Sequence, residues 1–218
     1  MLNVEAELSP DVVKVAQGIV ALVNNPGQTD AVFDIADGLR HTEVYQHFIQ
    51  YAHSQPAVAE ILKERYFAPP IDLDALLNYP EDSLGHRYAA AMKAANLVPD
   101  FYRKINVEDD YSYIALRMRQ THDIWHIITG FGTDLAGELA LQAFTLAQTH
   151  SPLAVALLAA IVMHVIKVSG PVNHVVDAIQ AGWQMGIKAQ PFLAQKWEDD
   201  WEKSVSAWRT DVGIETSE

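Results

Sequence analysis

Tyr113-Ile-Ala-Leu-Arg-Met-Arg-Gln-Thr-His122-Asp123-Ile-Trp-His126-Ile-Ile-Thr-Gly130, followed by Phe-Gly-Thr-Asp134-Leu-Ala-Gly-Glu138, decides the fold class of this chain. An α-helix turns about 100° per residue. With His122 at zero, His126 falls at roughly 40°, Arg119 at roughly 60° and Asp123 at roughly 100°. Ile114, Met118, Ile124, Trp125 and Ile128 fall on the other side, at roughly 200–320°. One face of this helix is therefore core and the other is a narrow polar arc. Gly130 is a C-cap candidate, and Thr133 or Asp134 can N-cap a second helix over Asp134–Thr149. His126 lies four residues before Gly130 and Glu138 four after Asp134, each offset being about 6 Å along its axis. In an antiparallel helix hairpin Glu138 therefore arrives level with His126.

Neutral histidine and ionised Asp or Glu are the ligands a borderline divalent cation accepts. The sequence contains no cysteine, so a metal here is held by nitrogen and oxygen. His122, Asp123, His126 and Glu138 are the candidate ligands, and zinc is the expected ion, with magnesium or another divalent cation as the alternative. Asp123 sits off the axis of the other three, so it either ligates directly or orients a histidine. Arg119 shares the polar arc, where it pairs with Asp123 or holds a substrate carboxylate or phosphate. Arg117 points to the far side of its helix and is left out of the site. A plainer reading of the same residues stands beside this one. Asp134, Glu138, Gln142, Thr145 and Thr149 form one stripe, which is also how a solvated face looks, and the two histidines can be buried, neutral and hydrogen-bonded.

Working outward, every long segment carries helical periodicity and none the alternation of a strand. Ser9-Pro10-Asp11 opens a helix to about Val23. Further helices are expected near 30–39, 41–53, 57–65, 73–77, 83–96, 153–168 and 171–189. Pro99-Asp100 turns the chain, and a final helix after Pro191 carries Trp197, Trp201 and Trp208, read as core or interface aromatics. The expectation is an all-α bundle of about eight to ten helices in a single domain over 1–218. Leu153–Val168 is the most apolar stretch, but it is shorter than the roughly 20 residues that span a bilayer and His164 and Lys167 interrupt its end, so it is read as a helix buried on all sides. It could equally wall an apolar tunnel. His164 on that helix is read as a satisfied core histidine, with pocket lining as the sharper alternative.

The net charge of −13 disfavours a grip on nucleic-acid phosphates and docking on anionic lipid through a basic patch. The first residues, Met-Leu-Asn-Val-Glu-Ala-Glu, match neither a secretory signal nor an Arg-rich presequence. A cytoplasmic protein, bacterial-type or already processed, is expected.

With these residues laid out, the chain resembles the coenzyme Q (ubiquinone) biosynthesis protein four family. That family's signature is His-Asp-x-x-His, eleven residues, then Glu, which positions 122, 123, 126 and 138 match. Tyr113 to Arg119 carries its paired arginines, and Gly137-Glu138 with Phe144 its downstream block. Ser83-Leu84-Gly85 with Tyr88, then Pro99-Asp100, is similar to its central segment. Trp197-Glu198, Trp201-Glu202 and Arg209 are similar to its C-terminal one. The resemblance spans roughly 55 to 215 and leaves the helices of 1–54 outside it. One departure is Glu64-Arg65-Tyr66, where the family often has Glu-Arg-Pro; proline is delayed here to Pro69.

The resemblance implies an all-helical protein peripheral to membranes that binds a divalent metal, usually zinc, beside a channel for a polyprenyl tail. It implies a role in assembling the quinone-biosynthetic enzymes, and a decarboxylation and hydroxylation at one ring carbon of the prenylated head group. Expected partners are a polyprenyl lipid or prenylated quinone precursor, the membrane surface and other enzymes of quinone biosynthesis; a homo-oligomer is also expected. Three hypotheses follow: a metal-dependent lyase or oxidoreductase acting on a prenylated hydroxybenzoate-type acid, a lipid-binding scaffold, and a metal-dependent phosphohydrolase of the helical His-Asp type. The third normally spreads its ligands over distant helices, whereas here they fall within seventeen residues.

Overall fold

The computed structural model describes residues 9–97 and 104–215, so the expected turn at Pro99-Asp100 and the first residues of the chain lie outside the described residues. Eleven α-helices follow one another: α1 (Pro10–Asn24), α2 (Thr29–Leu39), α3 (Glu43–Ser54), α4 (Pro56–Glu64), α5 (Leu73–Leu76), α6 (Leu84–Ala94), α7 (Asp110–Thr129), α8 (Leu135–Thr149), α9 (Pro152–Lys167), α10 (Val172–Lys188) and α11 (Val205–Asp211). No strand occurs among the described residues beyond one isolated bridge, Ser83 to Ser204. The all-α expectation holds.

The caps explain where the helices begin. Ser9 accepts from the Val12 amide, Ser83 from His86, Ser204 from Ala207 and Asp134 from Gly137. Each satisfies one of the amide donors that a helix N-terminus leaves open. α7 opens on a full capping box between Asp109 and Ser112. It closes on Gly130, whose φ of +79° is the left-handed C-cap conformation that glycine adopts without a Cβ penalty.

The chain forms two compact units, one from the residues up to Tyr51 with Asp134–Gly186, the other from Ala52–Thr133 with the residues from Ile187. In the first, α1, α2 and α9 pack around Leu22, Ala31, Ile35, Ala156 and Ala160. A second cluster joins Leu139 of α8, Val165 of α9 and Val175 of α10. At Gly182 a Cβ would lie 1.9 Å from the Ala140 carbonyl oxygen, so only glycine lets α10 approach α8 this closely.

Leu153–Val168 forms the expected helix, but it is not buried on all sides. Val155, Met163, Ile166 and Val168 are each half or more exposed. No helix among the described residues is long and apolar enough to cross a membrane. His164 uses its Nδ1 on the Val23 carbonyl at 2.8 Å, which supplies a satisfied role for that ring.

In the second unit α7 lies against α4, α6 and α11. Ile114, Ile124 and Ile128 are fully buried and Trp125 nearly so, which is the core face that the helical periodicity gives. The segment after Pro191 departs from expectation: it makes 3-10 turns at Phe192–Ala194 and Trp197–Asp199, and only α11 is regular helix. Trp197, Trp201 and Trp208 therefore do not share one helix face. Trp197 packs on Phe192 at 5.1 Å and on Trp208 at 4.8 Å between ring centroids, and Phe192 on Trp125 at 5.6 Å. These aromatics are core, as read from sequence, but through tertiary packing. The same segment holds Glu198, which takes Arg117 in a buried pair with 2.7 and 3.2 Å contacts. Arg117 thus lies away from the polar arc. At the delayed-proline position Arg65 ends α4 in the left-handed region, pairs with Asp110 and sits over the Tyr113 ring.

Candidate metal centre

α7 brings His122 and His126 onto one side, four residues apart, with ring centroids 4.7 Å apart and the planes near perpendicular at 71°. His126 is buried, whereas the His122 side chain is 38% exposed. Glu138 stands in the first turn of α8, where the helix start favours a negative charge.

The donor set tests whether a divalent ion fits. His126 Nδ1 is 2.9 Å from the Phe131 carbonyl oxygen. A carbonyl only accepts, so in the neutral ring Nδ1 carries the proton and Nε2 the lone pair. That is the carbonyl-to-imidazole arrangement that supports metal-bound histidine elsewhere. Two imidazoles and one carboxylate also match the nitrogen and oxygen preference of a borderline divalent cation. The residues fit the ion.

Asp123 occupies a different place. Its Oδ1 is 3.4 Å from His122 Nδ1, at the long end of a hydrogen bond. Burial would raise its pKa, but the hydrogen bond from His122 and the charges of His122 and His126 outweigh it and hold the carboxyl below its ordinary value. Arg119 is half-buried on α7, three residues before His122. The α8 stripe is not a solvated face, because Gln142, Thr145 and Thr149 are buried. The Thr145 and Thr149 hydroxyls donate to the carbonyls of Leu141 and Thr145 in their own helix, which is how these polar groups tolerate burial.

One part of the site, and one buried pair outside it, escaped the sequence. The Phe131 carbonyl is a backbone group with no residue-type signal. The partner of Arg117 lies 81 positions away at Glu198, and only the recurrence of Trp197-Glu198 in the resemblance hinted at it.

The profile of the family described as "Coenzyme Q (ubiquinone) biosynthesis protein Coq4" matches residues 6–218, taking in the N-terminal helices as well. The ubiquinone biosynthesis protein coq4, mitochondrial, of Talaromyces marneffei is 31% identical over 169 residues, covering 75% of this chain and 58% of that protein. Its counterpart in Yarrowia lipolytica is 28% identical over 84% of this chain and 72% of its own. A crystal structure of a Nostoc punctiforme protein named for ubiquinone biosynthesis superimposes with a TM-score of 0.82 at 36% identity, covering 94% of this chain and 98% of that one. The chain thus spans about three fifths of the Talaromyces relative but nearly all of the Nostoc one.

Proposed function

Because this chain belongs to the coenzyme Q (ubiquinone) biosynthesis protein Coq4 family, we propose that it binds one divalent cation, zinc first, through His122, His126 and Glu138 and presents it to the head group of a polyprenylated quinone precursor. The observation that carries the reading is the His122 and His126 pair on one side of α7, with His126 Nδ1 at 2.9 Å from the Phe131 carbonyl oxygen. When bound, the ion supplies a Lewis acid to an oxygen of the aromatic head group. The chain's own residues do the positioning. Phe131 fixes the His126 tautomer, Asp123 orients His122, and Arg119 offers a guanidinium to a carboxylate or phosphate of the ligand. Acting on the ring carbon that bears the carboxylate, the protein is a lyase or oxidoreductase, with any oxidant for the hydroxylation supplied from outside the chain.

The peripheral-membrane part of the reading has its own support. Val155, Met163 and Ile166 recur at helical spacing on the open face of α9. On α1, Val13, Ala16, Gln17 and Val20 line a shallow, almost wholly apolar groove. α9 has no acidic residue in a chain of net charge −13. Such a surface suits contact with the bilayer that holds a polyprenyl lipid.

The test is to incubate purified, metal-loaded protein with a prenylated hydroxybenzoate and follow CO₂ release and the ring product by mass spectrometry. Turnover lost in both His126→Ala and Glu138→Ala is the expected result. Lipid binding without turnover would reduce the role to that of a scaffold for the biosynthetic enzymes. Phosphate release from a phosphomonoester would replace the reading with a phosphohydrolase.

A further inference from the structure

A helix leaves its last carbonyls without intrahelical donors. At the end of α7 the His126 carbonyl takes the Gly130 amide at 2.9 Å. The next two are held from α11: Arg209 donates Nε to Ile128 O at 2.8 Å and Nη2 to Ile127 O at 3.1 Å. One rigid, planar guanidinium fork thus spans adjacent carbonyls, a geometry that a compact, rotatable ammonium does not fix. Its charge also complements the negative end of the helix. The fork lies close against the turn as well, since a Cβ at Gly130 would come 3.3 Å from Arg209 Nη2. That turn delivers the Phe131 carbonyl to His126 Nδ1, and Phe131 N is held in turn by the Thr129 hydroxyl at 3.3 Å. Arg209 itself is anchored where Trp208 packs on Trp197 and where its own carbonyl accepts the Ile214 amide at 2.8 Å.

We propose that Arg209 is a positioning residue for His126: by clamping the last carbonyls of α7 it fixes the turn whose Phe131 carbonyl selects the ring tautomer that offers Nε2 to a metal. The proposal rests on the metal-binding reading for its consequence, but its structural half is measurable without metal. Arg209→Met keeps an apolar stem and removes the fork, while Arg209→Lys keeps the charge but replaces the planar fork with a compact ammonium.

Nitrogen-15 NMR of the His126 ring in metal-free protein at pH 8 reads the tautomer. The wild type is expected to show Nδ1–H alone, Arg209→Met a mixture of tautomers, and Arg209→Lys an intermediate mixture. Zinc affinity, measured by competition with a chromophoric chelator, should fall by about 10–100-fold in Arg209→Met with helical circular dichroism retained. In a His126→Ala background the same substitution should cause no further loss. A single Nδ1–H tautomer in Arg209→Met, or in Arg209→Lys if the Met variant does not fold, would overturn the proposal. Failure of the wild type to bind zinc would overturn the metal reading instead, leaving the tautomer measurement to decide the role of Arg209.

Discussion

Replacing Glu198 by Gln removes the counter-charge of Arg117 without changing the volume of the site. Both side chains are 1% exposed, and the guanidinium makes its contacts at 2.7 and 3.2 Å to Glu198 and 3.1 Å to the Gln195 carbonyl. Its Nε is already buried without an acceptor among the described residues. Breaking a buried pair from one side costs about 3–5 kcal/mol, because the remaining ion stays desolvated. Gln keeps one oxygen acceptor, which places the expected loss near the lower end, about 3 kcal/mol. For a protein of this size that corresponds to a fall in Tm of about 6–12 °C. Urea unfolding followed by circular dichroism, alongside calorimetry, measures both. The double replacement Arg117→Met with Glu198→Leu removes the charges together and should regain most of the loss. A loss below about 1 kcal/mol in Glu198→Gln would refute the reasoning, since it would mean that the pair is solvated in solution.

In Gly182→Ala the new methyl meets the Ala140 carbonyl oxygen at 1.9 Å. That atom is backbone and cannot swing aside, so α10 must move and unfolding should come earlier by about 1–3 kcal/mol or more. Asp123, held below its ordinary value, contributes stability that is fully present above its unfolded pKa and lost as the pH falls through the lower folded one. The carboxyl carbon-13 shift across an acid titration checks the direction. Val155→Gln with Met163→Gln alters two exposed apolar side chains, so folding should be untouched while partition onto zwitterionic vesicles drops about tenfold, for roughly 1.4 kcal/mol of lost apolar contact. Unchanged sedimentation with the vesicles would remove α9 from the membrane-contact reading.

Short-range features were legible in the sequence because their causes are short-range. Ser9, Ser83, Gly130 and Asp134 act through atoms within three or four residues, and the structure places each cap as expected. The two-faced character of α7 was legible for the same reason, down to Arg117 pointing away from the histidines. The segment after Pro191 was not. Its tryptophans recur at helical spacing, yet the Arg117–Glu198 pair and the packing of Phe192 and Trp197 hold it in 3-10 turns, a tertiary override of local pattern. Nor does an all-apolar helix announce how many neighbours it will have. α9 is mostly hydrophobic in sequence, yet Val155, Met163 and Ile166 are half exposed in the fold, because burial depends on what packs beside it. The α8 stripe misleads in the other direction, since threonines that bond to their own helix can be buried without outside partners.

The central claim is that His122, His126 and Glu138 together hold one divalent cation. Metal analysis by mass spectrometry of the purified wild type, His126→Ala and Glu138→Ala, each dialysed against excess zinc and then against buffer, tests it most directly. One equivalent in the wild type and none in either variant, with helical circular dichroism preserved, is the predicted result. Stoichiometric zinc retained by both variants would contradict it.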